Sequence, residues 1–192
     1  IVEKSALGIT TSVGDFSTGL SEPSFTERLV DDSYSLPSGK RSRYDNTYKE
    51  ATVSCNKDGH TVQFIFRVYD DGVAYRYAIL GSGDISVYAE NSECLPVRQE
   101  KVYSQQYTKN NQALYEENDT EFMACELYTR CHCWFIRESD YLLLTEAMVN
   151  GNYCGSSLFV NEETKAYGYR WLGMSLLLFP CIRRGEFSWW VP

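Results

Sequence analysis

Hydrophobic and polar positions alternate most clearly between residues 62 and 79. Val62, Phe64, Phe66 and Val68 interleave with Gln63, Ile65, Arg67 and Tyr69 up to Asp71-Gly72; beyond it Val73, Tyr75, Tyr77 and Ile79 interleave with Ala74, Arg76 and Ala78. A period of two sends successive side chains to opposite faces of a strand, and a Gly-containing polar pair between two such runs marks a tight turn. The pattern therefore predicts an antiparallel hairpin with Phe64, Phe66, Tyr75 and Tyr77 on linked apolar faces. A second hairpin is expected from the run Tyr141 to Val149, the turn pair Asn150-Gly151 and the run Asn152 to Val160.

Shorter strands are expected at residues 33–36, 50–55, 166–171 and 175–179. The polar, basic stretch from Ser38 to Asn46 reads as an exposed loop or hairpin tip. No helical stripe of period 3.6 runs over more than about ten residues, although Gln112 to Cys125 has the composition of a helix or a long loop. Short strands separated by frequent turn signals predict an all-β fold, an antiparallel β-sandwich of two packed sheets.

Composition narrows the function more than the fold. With 192 residues the chain is shorter than a (β/α)₈ barrel, so barrel chemistry would lie outside it. Eighteen Lys and Arg against 26 Asp and Glu give a formal net charge of −8, which repels a phosphate backbone and argues against nucleic acid. The longest apolar run, Leu176 to Phe179, is far too short to span a bilayer as a helix. Seven cysteines make an odd set without regular spacing, so most read as buried small hydrophobes and the redox compartment stays open.

Few residue groups point to chemistry. The acidic doublets Asp31-Asp32, Asp70-Asp71, Glu116-Glu117 and Glu162-Glu163 are poor catalytic pairs, because neighbours in a strand face opposite ways and turn acids face solvent. Cys125, Cys131, His132 and Cys133 suggest zinc only superficially, since no C-x-x-C spacing occurs and His132 would oppose the two nearby thiols on a strand. His60 follows Asp58-Gly59 in an apparent turn, and no G-x-S-x-G elbow accompanies either histidine. Trp134, Trp171, Trp189 and Trp190, with many tyrosines, could stack on sugar rings; core or interface packing is the stronger reading. Glu146 interrupts the apolar run Leu142 to Val149, so its carboxylate must be paired or point outward.

The hairpin residues Arg67-Val68-Tyr69-Asp70-Asp71-Gly72-Val73-Ala74-Tyr75-Arg76-Tyr77, preceded by Tyr34-Ser35-Leu36 and Gly39-Lys40 and followed by Leu144-Thr145-Glu146-Ala147, resemble the amino-terminal domain of glycoside hydrolase family 97. Ala6-Leu7-Gly8-Ile9 fits the start of that domain. The resemblance covers roughly residues 5–160, and residues 173–192 depart from the family pattern.

The resemblance implies a galactose-mutarotase-like supersandwich in which residues 1–192 form one non-catalytic domain. It implies a parent enzyme acting on α-glucosides or α-galactosides, periplasmic or secreted with its signal peptide removed. The implied partner is a catalytic (β/α)₈ barrel of the same polypeptide, whose active-site rim this domain shapes; an oligosaccharide is a second partner. No catalytic residue is expected here, and the chain alone should be inactive. Glu146 takes the position of a glutamate lent to calcium when the barrel is present, so calcium belongs to the full-length enzyme and not to the isolated chain. Calcium takes six to eight oxygens, more than one carboxylate supplies. Two alternatives stay open, an independent carbohydrate-binding module and a structural or interaction domain left by truncation.

Overall fold

Alternating patterns resolve into nineteen strands along the described chain. The computed structural model describes residues 2–97, 101–106, 114–118, 129–130, 132–138, 140–147, 156–161, 163–171, 181–183 and 189–191. The strands are β1 (Ile9–Thr11), β2 (Gly14–Asp15), β3 (Ser21–Asp31), β4 (Tyr34–Ser35), β5 (Arg43–Tyr44), β6 (Thr47–Lys57), β7 (His60–Val68), β8 (Val73–Ile79), β9 (Asp84–Glu90) and β10 (Glu93–Cys94). They continue as β11 (Lys101–Ser104), β12 (Glu116–Asn118), β13 (Thr129–Arg130), β14 (His132–Arg137), β15 (Asp140–Ala147), β16 (Ser156–Val160), β17 (Tyr167–Trp171), β18 (Cys181–Arg183) and β19 (Trp189–Val191). No helix occurs among the described residues, and every strand pairing is antiparallel.

One sheet has nine strands in the order β12-β11-β14-β15-β19-β8-β7-β6-β3. Two four-stranded sheets, β18-β9-β1-β2 and β10-β17-β16-β13, stand opposite it, and β4-β5 is a separate ribbon. Val62, Phe64, Tyr77, Val102, Phe135 and Leu144 of the large sheet pack into one core with Ile9, Ile85, Val87, Leu158, Tyr167 and Tyr169 of the smaller ones. The fold is thus an all-β sandwich.

The first hairpin forms as its alternation predicts. Phe64 opposes Tyr77 and Phe66 opposes Tyr75, with Tyr69 N donating to Gly72 O at 2.8 Å across the turn. The preceding hairpin, β6 to β7, turns at Asp58-Gly59, where φ values of 49° and 79° suit a type I′ turn. The 33–46 stretch makes the β4-β5 ribbon, with the Tyr34 and Tyr44 rings stacked at 5.1 Å.

Two expectations need correction. Residues 141–160 do not form a hairpin: β15 pairs with β14 and β19 in the large sheet, while β16 pairs with β13 and β17 in the opposite layer. Both edges of β15 are already hydrogen-bonded, so the chain crosses to the other sheet. The Asn150-Gly151 pair lies outside the described residues. Second, residues 116–118, in the stretch read as a helix or long loop, are the edge strand β12. Residues 175–179 are outside the described residues as well.

The layers are unequal, and the cover fades toward β3. Along the inward-facing row Phe25–Val53–Phe64–Tyr77, exposure falls from 61% at Phe25 to 8% at Phe64 and 1% at Tyr77. Leu144, fully buried, should lose about 2–5 kcal/mol of stability on Leu144→Ala in a denaturant titration. Leu29, 76% exposed, should change stability by less than about 0.5 kcal/mol on Leu29→Ala.

Candidate functional site

Glu146 shares a face of β15 with Leu142 and Leu144, the face that looks toward the second layer. Its side chain is half-buried, and Ser156 at the head of β16 donates to Oε2 from its backbone N at 3.2 Å and from Oγ at 3.1 Å. The carboxylate therefore ties the two layers where the chain crosses between them.

Deeper in the core lies a second carboxyl, Glu90 of β9, which the sequence reading did not single out. Ser92 Oγ donates to Glu90 Oε1, and the Ser92 and Tyr77 hydroxyls are hydrogen-bonded to each other. Gly8 N donates to the Tyr77 hydroxyl at 2.9 Å, which fastens the amino-terminal segment to the same cluster. Burial pushes Glu90 up to about 8; hydrogen bonds from Ser92 and Tyr77 work against the rise, and the Glu146 charge adds to it. The Tyr75 hydroxyl, also buried, turns toward Ser92 and Tyr169 without reaching hydrogen-bond geometry with either. Burial foremost holds its phenol well above the ordinary range. At neutral pH Glu90 thus keeps its proton inside the core, while Glu146 stands half-buried at its contact with Ser156. Glycoside hydrolysis needs two carboxyl groups flanking a bond, and Glu90 is closed off from any such substrate.

The conspicuous hairpin arginine serves the opposite face of the large sheet. Arg67 Nε donates to Glu50 Oε2 at 2.9 Å, while Arg28 donates to Oε1 from Nε at 2.9 Å and Nη2 at 2.6 Å. The Arg67 guanidinium lies 4.5 Å from the Tyr48 ring centroid, Tyr48 donates to Asp32 at 2.9 Å, and the Tyr48 and Tyr69 rings meet at 5.0 Å. Burial works to raise the Glu50 carboxyl, but the hydrogen bonds and charges of Arg28 and Arg67 outweigh it and hold the group below its usual value. These motif residues clamp β3, β6 and β7 together.

The remaining sequence candidates disperse. Asp31 is capped by Ser33, Asp32 holds Tyr48, and Glu117 accepts from Lys101 and Tyr103. His60 begins β7 opposite Lys57. Cys133 is a fully buried core member; Cys125 and Cys131 fall outside the described residues. Among the described residues no group of three or more His, Cys, Asp or Glu could hold a metal. Trp171, Trp189 and Trp190 sit on β17 and β19, whereas Trp134 on β14 is 42% exposed.

Comparison with known proteins settles the family. The family description Glycosyl-hydrolase 97 N-terminal matches residues 1–180. The chain is an amino-terminal domain of glycoside hydrolase family 97. It is 30% identical over 175 residues to a probable retaining alpha-galactosidase of Streptomyces bingchenggensis (strain BCW-1), covering 87% of this chain and 26% of that protein. A solved beta-arabinopyranosidase superposes over 100% of this chain and 34% of its own with a TM-score of 0.83 at 23% identity. A family 97 enzyme from Pseudoalteromonas sp. strain K8 in complex with acarbose does so over 100% and 30%, with a TM-score of 0.80 at 17% identity. The chain thus spans about a quarter of its curated relative. No helix among the described residues of this family 97 domain is long and apolar enough to cross a membrane.

Within the family 97 domain, Glu90 and Glu50 pull stability in opposite pH directions. Folded Glu90 keeps its proton up to about pH 8, whereas the unfolded carboxyl releases it near 4.5. Its contribution is complete below about 4.5 and is lost as pH rises toward 8. Glu50, held low, contributes above its unfolded value and loses that contribution as pH falls. Thermal melts of Glu90→Gln should therefore show a weaker fall in Tm between pH 5 and 8 than the parent. Parallel pH profiles for the two proteins would contradict a buried, protonated Glu90.

Proposed function

We propose that this chain is the non-catalytic support of a glycoside hydrolase acting on α-glucosides or α-galactosides, docking a catalytic (β/α)₈ barrel on the uncovered part of its inner sheet face. The observation that carries this reading is the row Leu29–Lys49–Val68–Val73 across β3, β6, β7 and β8, joined by Phe25. Phe25, Leu29, Val68 and Val73 are 61%, 76%, 47% and 37% exposed although register turns them toward the inner side. The Glu27–Lys49 ion pair, at 3.8 Å, stands among them, and a strip of exposed apolar side chains with polar groups interspersed marks a surface meant for a partner. Relatives three to four times longer supply a natural occupant in the same polypeptide.

Glu146 lies on that same inner face, in the cross-strand row Glu146–Trp190–Tyr75–Phe66–Ala51–Glu27. Its chemistry fits a single calcium ligand: a half-buried carboxyl group oriented by the two Ser156 donors, with no cluster of three or more metal-ligating side chains around it among the described residues. Calcium, bound jointly with barrel oxygens, would bridge the two domains electrostatically. What this chain supplies is orientation: the two Ser156 donors fix Oε2.

In a polypeptide of its relatives' length, Glu146→Gln should weaken calcium affinity about tenfold, because charge count tunes such sites. The paired variant Phe25→Asp/Leu29→Asp should leave the melting of this chain almost unchanged and weaken its association with a separately produced catalytic portion by tenfold or more. Association and calcium affinity that ignore these substitutions would overturn the reading. So would aryl-glycoside turnover by this chain alone that a point substitution within it removes.

A further inference from the structure

The outer face of the large sheet is open at its β12-β11-β14-β15 end, far from the inner strip described above. Two cross-strand rows lie there. One runs Glu117–Tyr103–Trp134–Leu143 and the next Lys101–Ile136–Tyr141. Alternation places these residues opposite Val102, Cys133, Phe135 and Leu144, all at most 2% exposed in the core. Trp134 is 42% and Tyr141 65% exposed, and as diagonal neighbours on one face their positions lie about 7–8 Å apart. Two large flat rings are thus presented side by side on a rigid sheet instead of a loop.

The polar groups around the rings are paired, which decides the class of ligand. Lys101 Nζ donates to Glu117 Oε1 at 2.6 Å and the Tyr103 hydroxyl to Glu117 Oε2, while Lys101 and Glu117 remain about half exposed. Arg137 and Asp140, opposed at the end of the β14–β15 hairpin, alternate instead onto the inner side with Phe135 and Leu142, where they line a cleft of about 60 Å³ with Pro96 and Val97. The Lys101–Glu117 pair is electrically neutral yet offers donors and acceptors beside the apolar rings. A phosphate polymer is disfavoured by the chain's formal charge of −8. A docking protein is better served by the larger apolar strip around Leu29. A neutral, hydroxyl-rich ligand with apolar ring faces fits both features.

We propose that Trp134 and Tyr141 form a non-catalytic oligosaccharide-binding platform, on which pyranose rings of a neutral glycan stack while Lys101 and Glu117 bond their hydroxyls. The ligand class follows from the exposed rings and the neutral polar pair beside them, and none of the geometry depends on the docking reading. Calorimetric titration of this chain with a linear α-glucan heptasaccharide and an α-galacto-oligosaccharide tests it. At least one sugar should bind saturably with a Kd in the millimolar range or tighter. Trp134→Ala should weaken binding about tenfold or more, Tyr141→Ala at least about threefold, and Tyr34→Ala, a control aromatic on the separate ribbon, not at all. Tyr141 is so exposed that its truncation leaves the fold intact, so its result stands even if Trp134→Ala unfolds. No saturable binding of either sugar up to about 10 mM, or binding indifferent to both substitutions, would overturn the platform. Neither outcome touches the association assay with the catalytic portion.

Discussion

Nine strands on one side of a sandwich face two sheets of four on the other, and the surface left uncovered organises the rest of the molecule. Apolar burial at about 25 cal/mol per Å² drives the layers together only where both exist. Under the smaller sheets, Val62, Ile79, Val102 and Leu144 are fully buried; toward β3 the same inward-facing positions, Phe25 and Leu29, are open to solvent. An eleven-residue strand held on one side by β6 and exposed on both faces is an unusual thing to leave on a monomer surface. Its charged residues Glu22, Glu27, Arg28 and Asp31 blunt the edge, while Phe25 and Leu29 keep its inner face adhesive.

Charge is handled differently on the two sides of the large sheet. On the outer face, Glu50 stays ionised because two guanidiniums reach it, and the clamp fixes the register of β3 on β6 and β7. Inside, where no cation reaches Glu90 among its hydrogen-bond partners, burial wins and the acid keeps its proton. That difference separates two carboxyls which sequence alone would treat alike. The family hairpin motif accordingly reads as architecture: Arg67 belongs to the clamp, Tyr69 packs on Tyr48, and Tyr75 and Tyr77 point into the core.

The β7–β8 hairpin was legible because its alternation is long, its turn is local and both strands bury one face. The strand β3 was not, since residues exposed on both faces show no alternation to read. Asn150-Gly151 signalled a reversal between residues 141 and 160, but a turn signal does not say which neighbour a strand pairs with, and β14 and β19 had already taken both edges of β15. Glu146 stood out as a charge in an apolar run; Glu90 takes an outward place in the period-two pattern of Ile85 and Val87, and only the register shift between Val87 and Ala89 on β9 turns it inward toward Ser92. For Trp134 the sequence favours core or interface packing over sugar stacking, and only register with Tyr103 and Leu143 places it on the open face.

The account rests on a partner covering the inner face at β3. Amide hydrogen exchange over residues 21–31 tests it most directly, measured in this chain alone and in a polypeptide of its relatives' length. Exchange at β3 should slow by about tenfold or more in the longer polypeptide, while residues 60–68, already central in the sheet, change little. Equal exchange at β3 in both would contradict the account, because the exposed strip around Phe25 and Leu29 would then have no occupant in the longer polypeptide.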